Sequence, residues 1–119
     1  MQESILRENS YQFALRIVKL YKFIADEKKE YVLSKQILRS GTSIGANIEE
    51  GKHAQSKMDF VHKLSIAQKE AAETHYWVRL LRDSDFLTVK QSESLLNDCE
   101  EIQKMLTASI KTAKASGER

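Results

Sequence analysis

The absence of proline from all 119 residues constrains the fold more than any other feature of the chain. Proline kinks or ends a helix, because its ring clashes with the preceding turn and it lacks a backbone N–H group. Folds made of many short strands usually place proline and glycine in their turns. A chain of this length without proline therefore predicts long helices. The glycines agree, since three of the four lie in one helical segment and the fourth lies in the C-terminal tail.

Apolar or small residues recur at helical spacing in four segments, which short polar breaks separate. In the third segment, steps of four and three residues run without interruption through Phe60, Leu64, Ala67, Ala71, Thr74, Val78 and Leu81. This 3.5-residue repeat is typical of helices packed in bundles. The predicted helices cover about residues 10–26, 32–51, 56–83 and 88–114. Such helices with short loops predict an all-α fold, an up-down-up-down antiparallel four-helix bundle, as one domain over residues 1–119.

The first predicted helix carries more apolar surface than a single core requires. Its inner stripe consists of Phe13, Ile17, Leu20 and Ile24, and a second stripe beside it consists of Tyr11, Ala14, Val18, Tyr21 and Ala25. An apolar arc of about 100° is enough for a helix to sit on one core. The second stripe therefore predicts that part of this helix faces another subunit.

Composition excludes several classes of protein. Nineteen basic and seventeen acidic residues leave a net charge of +2, far from the strongly basic composition of proteins dedicated to nucleic acid. The single cysteine, Cys99, excludes an internal disulfide framework and suits a reducing cytosol. The chain has no apolar run of membrane-spanning length, and its first residues lack the apolar core of a signal peptide. We expect a cytoplasmic protein with no membrane partner.

The titratable residues form no recognisable catalytic or metal-binding motif. Di-iron sites in bundles need a Glu-x-x-His motif on two helices and a carboxylate from each of the other two. This chain has one such motif, Glu50 to His53, at a helix end, and its first helix has no acidic residue between Glu8 and Asp26. Cys99 falls on the core stripe of the fourth helix, where an inert thiol is expected. We expect neither an enzyme nor a cofactor or metal site.

Two carboxylates, Glu70 and Glu73, interrupt an apolar stripe of the third helix that contains Ile66, Trp77 and Leu80. Burying a carboxylate is costly unless the group is paired or hydrogen-bonded. The candidate partners on the second helix lie along one polar line and are Ser43, Asn47 and Glu50. The pattern predicts a structural polar network between helices 2 and 3. The alternative is general acid–base catalysis by the two carboxylates, but no nucleophile, oxyanion hole or cofactor loop accompanies them.

Two glycines of the second helix, Gly41 and Gly45, are four residues apart and therefore share a face. Their segment, Ser40 to Asn47, has poor helix propensity. Close approach of a neighbouring helix backbone explains these small residues. The alternative is a loop that binds phosphate.

Five basic residues are candidates for contact with nucleic acid. Arg16, Lys19 and Lys22 are spaced by three and share a broad face of the first helix, while Lys35 and Arg39 form an i, i+4 pair on the second. In a monomer such residues are commonly just solvated faces. A symmetric ring would repeat the patch in every subunit, and affinity for phosphates grows with the number of contacts.

Several runs in helices 2 and 3 resemble a known family. They are Ser43-Ile-Gly-Ala-Asn-Ile-Glu-Glu-Gly51, Asp59-Phe60, Leu64-Ser-Ile-Ala-Gln-Lys-Glu70, Glu73-Thr-His-Tyr-Trp77 and Leu80-Leu81. The chain resembles the bacterial four-helix bundle proteins associated with 23S rRNA intervening sequences, which have also been labelled a ribosomal protein family. The resemblance spans essentially the whole chain, although helices 1 and 4 match only in pattern.

The resemblance implies an up-down bundle that assembles into a small homo-oligomeric ring, a pentamer. It also implies a distant likeness to the accessory proteins of diversity-generating retroelements, which form basic five-fold barrels that engage a reverse transcriptase and nucleic acid. The near-neutral charge of this chain departs from that basic type. The family as a whole has no settled biochemical activity.

Two functions follow as hypotheses. The first is a non-enzymatic homo-oligomer that binds RNA, or a nucleic-acid-processing protein, through a basic face built across subunits. It would contact phosphates without reading bases. The second is a protein-interaction scaffold with no role in nucleic-acid binding. Salt separates the two, because phosphate contacts weaken steeply as salt rises and apolar interfaces do not.

Overall fold

The computed structural model describes residues 2–117, which form four α-helices. The helices are α1 (Gln2–Glu27), α2 (Leu33–Lys52), α3 (Lys57–Asp83) and α4 (Val89–Gly117). Each packs on the next in chain order, and α1 also packs on α4, so the four helices surround one core. The predicted all-α antiparallel four-helix bundle is confirmed. Residues 1, 118 and 119, at the ends of the predicted domain, lie outside the described residues.

The core consists of the stripes that the periodicity predicts. On α3, the predicted residues from Leu64 to Leu81 are all at most 1% exposed, and Phe60 is half-buried at the edge. On α1, the inner stripe from Phe13 to Ile24 is at most 9% exposed. A helix buries one face in this way because side chains three and four residues apart lie above one another. None of the helices in the described part of the chain is both long and apolar enough to cross a membrane.

The first helix begins earlier than the prediction of about Ser10, because α1 is already helical at Gln2. Leu6 and Ser10 are each only 1% exposed, so the added turns extend the buried face of α1. The Arg7 side chain also makes two hydrogen bonds of 3.1 Å to the carboxylate of Glu49 on α2. Polar residues dominate this segment, and their periodicity is too weak to indicate a helix without the neighbouring elements.

Side chains cap the N-terminal ends of α2, α3 and α4. The Ser56 hydroxyl accepts the backbone N–H of Asp59 at 3.0 Å and so caps the N-terminus of α3. Thr88 and Gln91 form a reciprocal capping box, since the Thr88 hydroxyl accepts the Gln91 N–H and the Gln91 side chain accepts the Thr88 N–H. The start of α2 is held by Glu30, whose carboxylate accepts three consecutive backbone N–H groups at 2.8–3.1 Å.

The contact between α1 and α2 depends on glycine. A Cβ atom added to Gly41 would lie 2.7 Å from Ile17 Cγ1, which is closer than real Cβ atoms approach. At Gly45 the same atom would lie 3.4 Å from the backbone oxygen of Ser10. Both glycines therefore lie where α1 and α2 approach closely. They are part of continuous helix and not of a loop.

Candidate nucleic-acid interface

The two carboxylates of α3 that the sequence analysis singled out are both bound by Arg39 of α2. The guanidinium donates to Glu70 Oε1 at 3.3 Å and to Glu73 Oε2 at a shorter distance. Trp77 Nε1 donates to the same oxygen of Glu73 at 2.9 Å. Arg39, Glu70, Glu73 and Trp77 form a cluster, the Arg39 cluster, that links α2 to α3 at the surface. The two carboxylates are 21% and 35% exposed, so both remain in contact with solvent.

The predicted partners of these carboxylates bind elsewhere, which corrects the proposed network. The Ser43 hydroxyl donates to the backbone oxygen of Arg39 at 2.7 Å, and the Asn47 side chain donates to the backbone oxygen of Ser43 at 2.9 Å. Glu50 pairs with Lys63 at 2.9 Å. The physical reason is the length of the side chains. Short polar side chains in a helix readily bond the carbonyl one turn back, whereas the longer arginine side chain spans the groove to α3.

Sequence reasoning also missed a buried link between α2 and α3. The hydroxyls of Ser40 and Thr74 hydrogen-bond each other at 2.9 Å, and both residues are fully buried. Thr74 stands on the predicted core stripe, where its hydroxyl needs a partner. This requirement could have pointed to Ser40, which is polar and lies one turn before Ile44 on the inner face of α2.

The five basic candidates fall into two groups. The two arginines are engaged in ion pairs between helices: Arg39 in the cluster above, and Arg16 with Asp98 Oδ2 at 2.5 Å and Ser94 Oγ at 3.0 Å on α4. The three lysines, Lys19, Lys22 and Lys35, are exposed and form no ion pair among the described residues. Of the five candidates, only these three lysines have no ion-pair partner among the described residues, so their ammonium groups can contact a phosphate.

The five residues do not form one face of the monomer. The helices follow one another around the core in chain order, so the groove between α1 and α4 lies opposite the groove between α2 and α3. Arg16 lies in the first groove and Arg39 in the second. Within one subunit, the two arginines therefore reach toward carboxylates on opposite sides of the bundle.

The outward face of α1 combines apolar and basic side chains. Tyr11 and Leu15 are 62% and 42% exposed, although both are large and apolar for most of their surface. Lys19 and Lys22 are exposed on the same outward side, one to two turns further along. Of the predicted second stripe, Ala25 is buried, and the three other members are half-buried: Ala14, Val18 and Tyr21. We refer to Tyr11, Leu15 and Val18 as the α1 outer stripe.

The thiol of Cys99 lies in the core of the bundle. Cys99 is fully buried and donates to the backbone oxygen of Ala71 at 3.3 Å. Burial, with added repulsion from Glu100 and Asp98, raises the pKa of its thiol to about 12, so the group stays protonated near neutral pH.

His75 contacts Glu100 at 2.8 Å across α3 and α4, while His53 and His62 are exposed. The Glu50–His53 motif is divided, because Glu50 pairs with Lys63 and His53 lies 3.6 Å from Glu49. Within residues 2–117, no three side chains of His, Cys, Asp or Glu lie together in a way that could hold a metal ion.

Trp77 of the Arg39 cluster also forms an aromatic pair with Tyr76 on α3. The rings of Tyr76 and Trp77 lie edge to face, with centroids 5.1 Å apart and planes at 70°. Trp77 is half-buried, whereas Tyr76 is 49% exposed. The guanidinium carbon of Arg79 lies 5.8 Å from the centre of the Tyr76 ring.

Comparison with known proteins places these features in a family. Residues 2–108 match the family model described as 23S rRNA-intervening sequence protein. Among solved structures, the chain is similar to a protein with unknown function from the S23 ribosomal protein family from Bacteroides thetaiotaomicron VPI-5482, with 55% sequence identity and a TM-score of 0.92. The similarity covers 93% of this chain and 99% of that chain. No curated protein matches the chain significantly.

Proposed function

The chain belongs to the family of 23S rRNA-intervening sequence proteins, and on that premise we propose that it is a non-enzymatic, homo-oligomeric bundle that binds RNA. The observation that carries the proposal is the outward face of α1. There, exposed apolar residues lie next to lysines that have no ion-pair partner among the described residues. The apolar residues are suited to contact another subunit, and the lysines are suited to contact phosphates.

The α1 outer stripe supports self-association. Tyr11 and Leu15 leave apolar surface in water, and Val18 extends that surface into the C-terminal half of α1. Exposed apolar patches rimmed by polar residues commonly mark contacts with other proteins. A closed ring of identical subunits would cover the stripe in every subunit. The subunit number implied by the resemblance is five.

Lys19, Lys22 and Lys35 would carry the phosphate contacts. An ammonium group acts as a point charge that binds phosphate oxygens without base specificity. One subunit supplies few such contacts, and the net charge of the chain is only +2. A ring repeats the three lysines in each subunit, and each additional phosphate contact strengthens binding. Oligomerisation therefore explains how a nearly neutral chain would bind a polyanion.

The non-enzymatic part of the proposal is supported by the state of the most reactive groups. The Cys99 thiol is protonated near neutral pH because its pKa is raised to about 12 by burial and by neighbouring carboxylates. Glu70 and Glu73, the candidates for acid–base catalysis, share Arg39 as their partner. Both carboxylates thus have a sufficient structural role in linking α2 to α3.

Light scattering tests the proposal directly. The mass of the full chain would be measured alone and with a structured ribosomal RNA fragment, at low and at moderate salt. We expect an oligomer that takes up RNA at low salt and releases it as salt rises. Each phosphate contact lowers the logarithm of the binding constant by about 0.7–0.9 for every tenfold rise in salt concentration. A protein that remains monomeric, or an oligomer that ignores RNA at both salts, would contradict the proposal.

Matched lysine variants locate the contacts. Replacing Lys19, Lys22 and Lys35 together by alanine should weaken RNA binding and reduce its salt dependence. The control replaces three exposed lysines of α4 by alanine, which removes the same charge: Lys90, Lys111 and Lys114. Equal losses in the two triple variants would mean that net charge alone governs binding, and the role of the α1 and α2 lysines would be rejected.

The alternative is a scaffold that binds another protein and no nucleic acid. The exposed apolar residues of the α1 outer stripe favour this reading, because they are suited to a protein partner as well as to a second subunit. In that case, the oligomer would form without RNA uptake. Its contacts would also persist at high salt, since burial of apolar surface does not weaken with ionic strength.

A further inference from the structure

The outward face of α3 carries a second group of basic residues, arranged around an exposed aromatic ring. Lys69, Ala72, Tyr76 and Arg79 follow one another in steps of three and four residues, so they share one face of the helix. All four are exposed. We call them the Tyr76 stripe. Neither Lys69 nor Arg79 forms an ion pair among the described residues.

Carboxylates near the Tyr76 stripe are already engaged. Glu70 and Glu73 bind Arg39, and Asp83 binds Arg82 with a distance of 2.7 Å between Oδ1 and Nε. Lys69 and Arg79 themselves form no ion pair among the described residues, while Asp83, whose pKa is lowered mainly by its bond to Arg82, also attracts Arg79. A surface of this kind is complementary to a polyanion.

The Tyr76 ring is held in place by a chain of contacts that reaches α2. Trp77 packs against Tyr76 with centroids 5.1 Å apart, and its Nε1 is anchored to Glu73 at 2.9 Å. Glu73 is in turn bound by Arg39. An exposed ring that is fixed in this way loses little conformational entropy when a ligand packs on it.

The neighbours of Tyr76 suit a nucleotide. Unpaired bases stack on tyrosine rings and on guanidinium planes, and the Arg79 guanidinium carbon lies 5.8 Å from the ring centre. Lys69 precedes Tyr76 by two turns, about 10 Å along the helix axis at 1.5 Å per residue. Ala72, between them, has a small side chain that leaves the approach open. A strand lying along α3 would meet an aromatic ring with Lys69 two turns before it and the Arg79 guanidinium over one of its faces.

We propose that Tyr76 is a stacking platform for an unpaired base of single-stranded RNA, with Lys69 and Arg79 contacting the flanking phosphates. This inference rests on the RNA binding proposed above, and it adds a second contact surface and a preference for unpaired strands. Bases in a duplex hide their faces in the stack, so a duplex cannot use the platform along its length. Tyr76 and Arg79 are also of residue types that are enriched in protein interfaces, and only Lys69 is of a depleted type, so a subunit contact is one outcome of the test.

The chain contains its own probe for this contact. Trp77 is the only tryptophan, and it packs directly against Tyr76. Titration with single-stranded oligoadenylate should change the Trp77 fluorescence. Inorganic polyphosphate, which has the charge but no bases, should leave it nearly unchanged at the same occupancy. Equal responses to the two polyanions would overturn the proposal.

Affinity would be measured by the anisotropy of labelled oligoadenylate, because removal of Tyr76 itself alters tryptophan emission. Tyr76→Ala should weaken binding by roughly 5- to 140-fold, which corresponds to about 1–3 kcal/mol of stacking per base at 1.4 kcal/mol per tenfold change. Tyr76→Phe should retain most of the affinity, since it keeps the ring. The control Tyr31→Ala removes another exposed tyrosine, which is 54% exposed, and should leave binding unchanged.

The outcomes separate this inference from the proposed function. If oligoadenylate binds and the α1 and α2 lysine variant weakens it, but Tyr76→Ala binds like the wild type, only the platform is overturned. If Tyr76→Ala lowers the oligomer mass in light scattering, the surface is a subunit contact and the platform is overturned. If no RNA binds at low salt, both proposals fail.

Discussion

Arg39 illustrates how the role of a single side chain depends on its neighbours. In the sequence it is the second member of a basic i, i+4 pair, and it resembles a phosphate ligand. In the structure its guanidinium is shared between Glu70 and Glu73 of α3. Planar arginine suits this arrangement, because its donors form a fork that can meet two carboxylates. The same residue thus links two helices, and its charge is shared with two carboxylates.

Gly41 is the residue at which a small substitution should have the largest effect on the α1–α2 contact. We expect Gly41→Ala to lower the free energy of unfolding by about 1–3 kcal/mol, because its new methyl group would meet Ile17 at 2.7 Å. Urea denaturation would measure the change.

Gly45→Ala is the matched control for that substitution. Its methyl group would lie 3.4 Å from the Ser10 oxygen, and alanine is a better helix former than glycine by about 1 kcal/mol. We expect little net loss or a gain. Equal destabilisation by both variants would mean that the Ile17 side chain moves aside easily and that Gly41 is not required for the close approach.

At the scale of the helix, the start of α2 depends on Glu30. Its partial burial acts to raise the pKa of the carboxyl, but the backbone N–H groups of Leu33, Ser34 and Val32 outweigh this effect and leave the pKa below its ordinary value of 4.5. A carboxylate at a helix N-terminus also interacts favourably with the helix dipole. Glu30 therefore replaces the Ser, Thr, Asp or Asn cap that is more usual at this position.

Replacing this carboxylate should destabilise the protein in a pH-dependent way. We expect Glu30→Gln to cost about 0.5–2 kcal/mol at pH 7, the range seen for lost helix caps. Because the folded-state pKa is lowered, the contribution of Glu30 is present above the unfolded pKa of about 4.5 and is lost as pH falls through the lower folded value.

Thermal denaturation at pH 7 and near pH 3 would measure this effect. The difference between wild type and Glu30→Gln should shrink at the lower pH. The control is Glu27→Gln, which alters an exposed carboxylate at the end of α1. A difference that stays constant with pH would show that the charge of Glu30 does not act through the helix cap.

At the scale of the whole molecule, the bundle is long and narrow, with dimensions of 52 × 22 × 19 Å. Its sides are therefore much larger than its ends, and packing side by side buries more surface than packing end to end. The α1 outer stripe lies on one of these sides and is the exposed apolar surface with which we associate self-assembly. The Tyr76 stripe lies on α3, diagonally across the bundle from α1. The two surfaces therefore face different sides of the molecule.

Charge placed on the α1 outer stripe should dissociate the oligomer. We expect the double variant Tyr11→Glu and Leu15→Glu to have the mass of a 13.7 kDa monomer in light scattering, while its circular dichroism remains helical. The control places the same two charges at other exposed apolar residues, Met58→Glu and Val89→Glu, which are 83% and 67% exposed. If the control dissociates as well, or the α1 variant keeps its mass, the stripe is not the subunit contact.

The number of helices, their approximate ranges and their inward faces follow from the sequence alone. They depend on local properties: the absence of proline, the spacing of apolar side chains and the polar breaks between segments. The inner stripes of α1 and α3 were predicted residue by residue for this reason. The start of α1 was missed, because Ile5 and Leu6 are the only apolar residues between Gln2 and Ser10 and the burial of Leu6 depends on the neighbouring helices.

The tertiary structure decided which charged groups are free. Arg16 pairs with Asp98, which is 82 residues away in the chain, and Arg39 with Glu73, which is 34 residues away. Ser43 and Asn47 instead bond their own helix, so the predicted network did not form between them and α3. Pairing of this kind depends on side-chain reach across a groove and on which helices share that groove. Helical periodicity specifies the face of each residue but not its partner on the next helix.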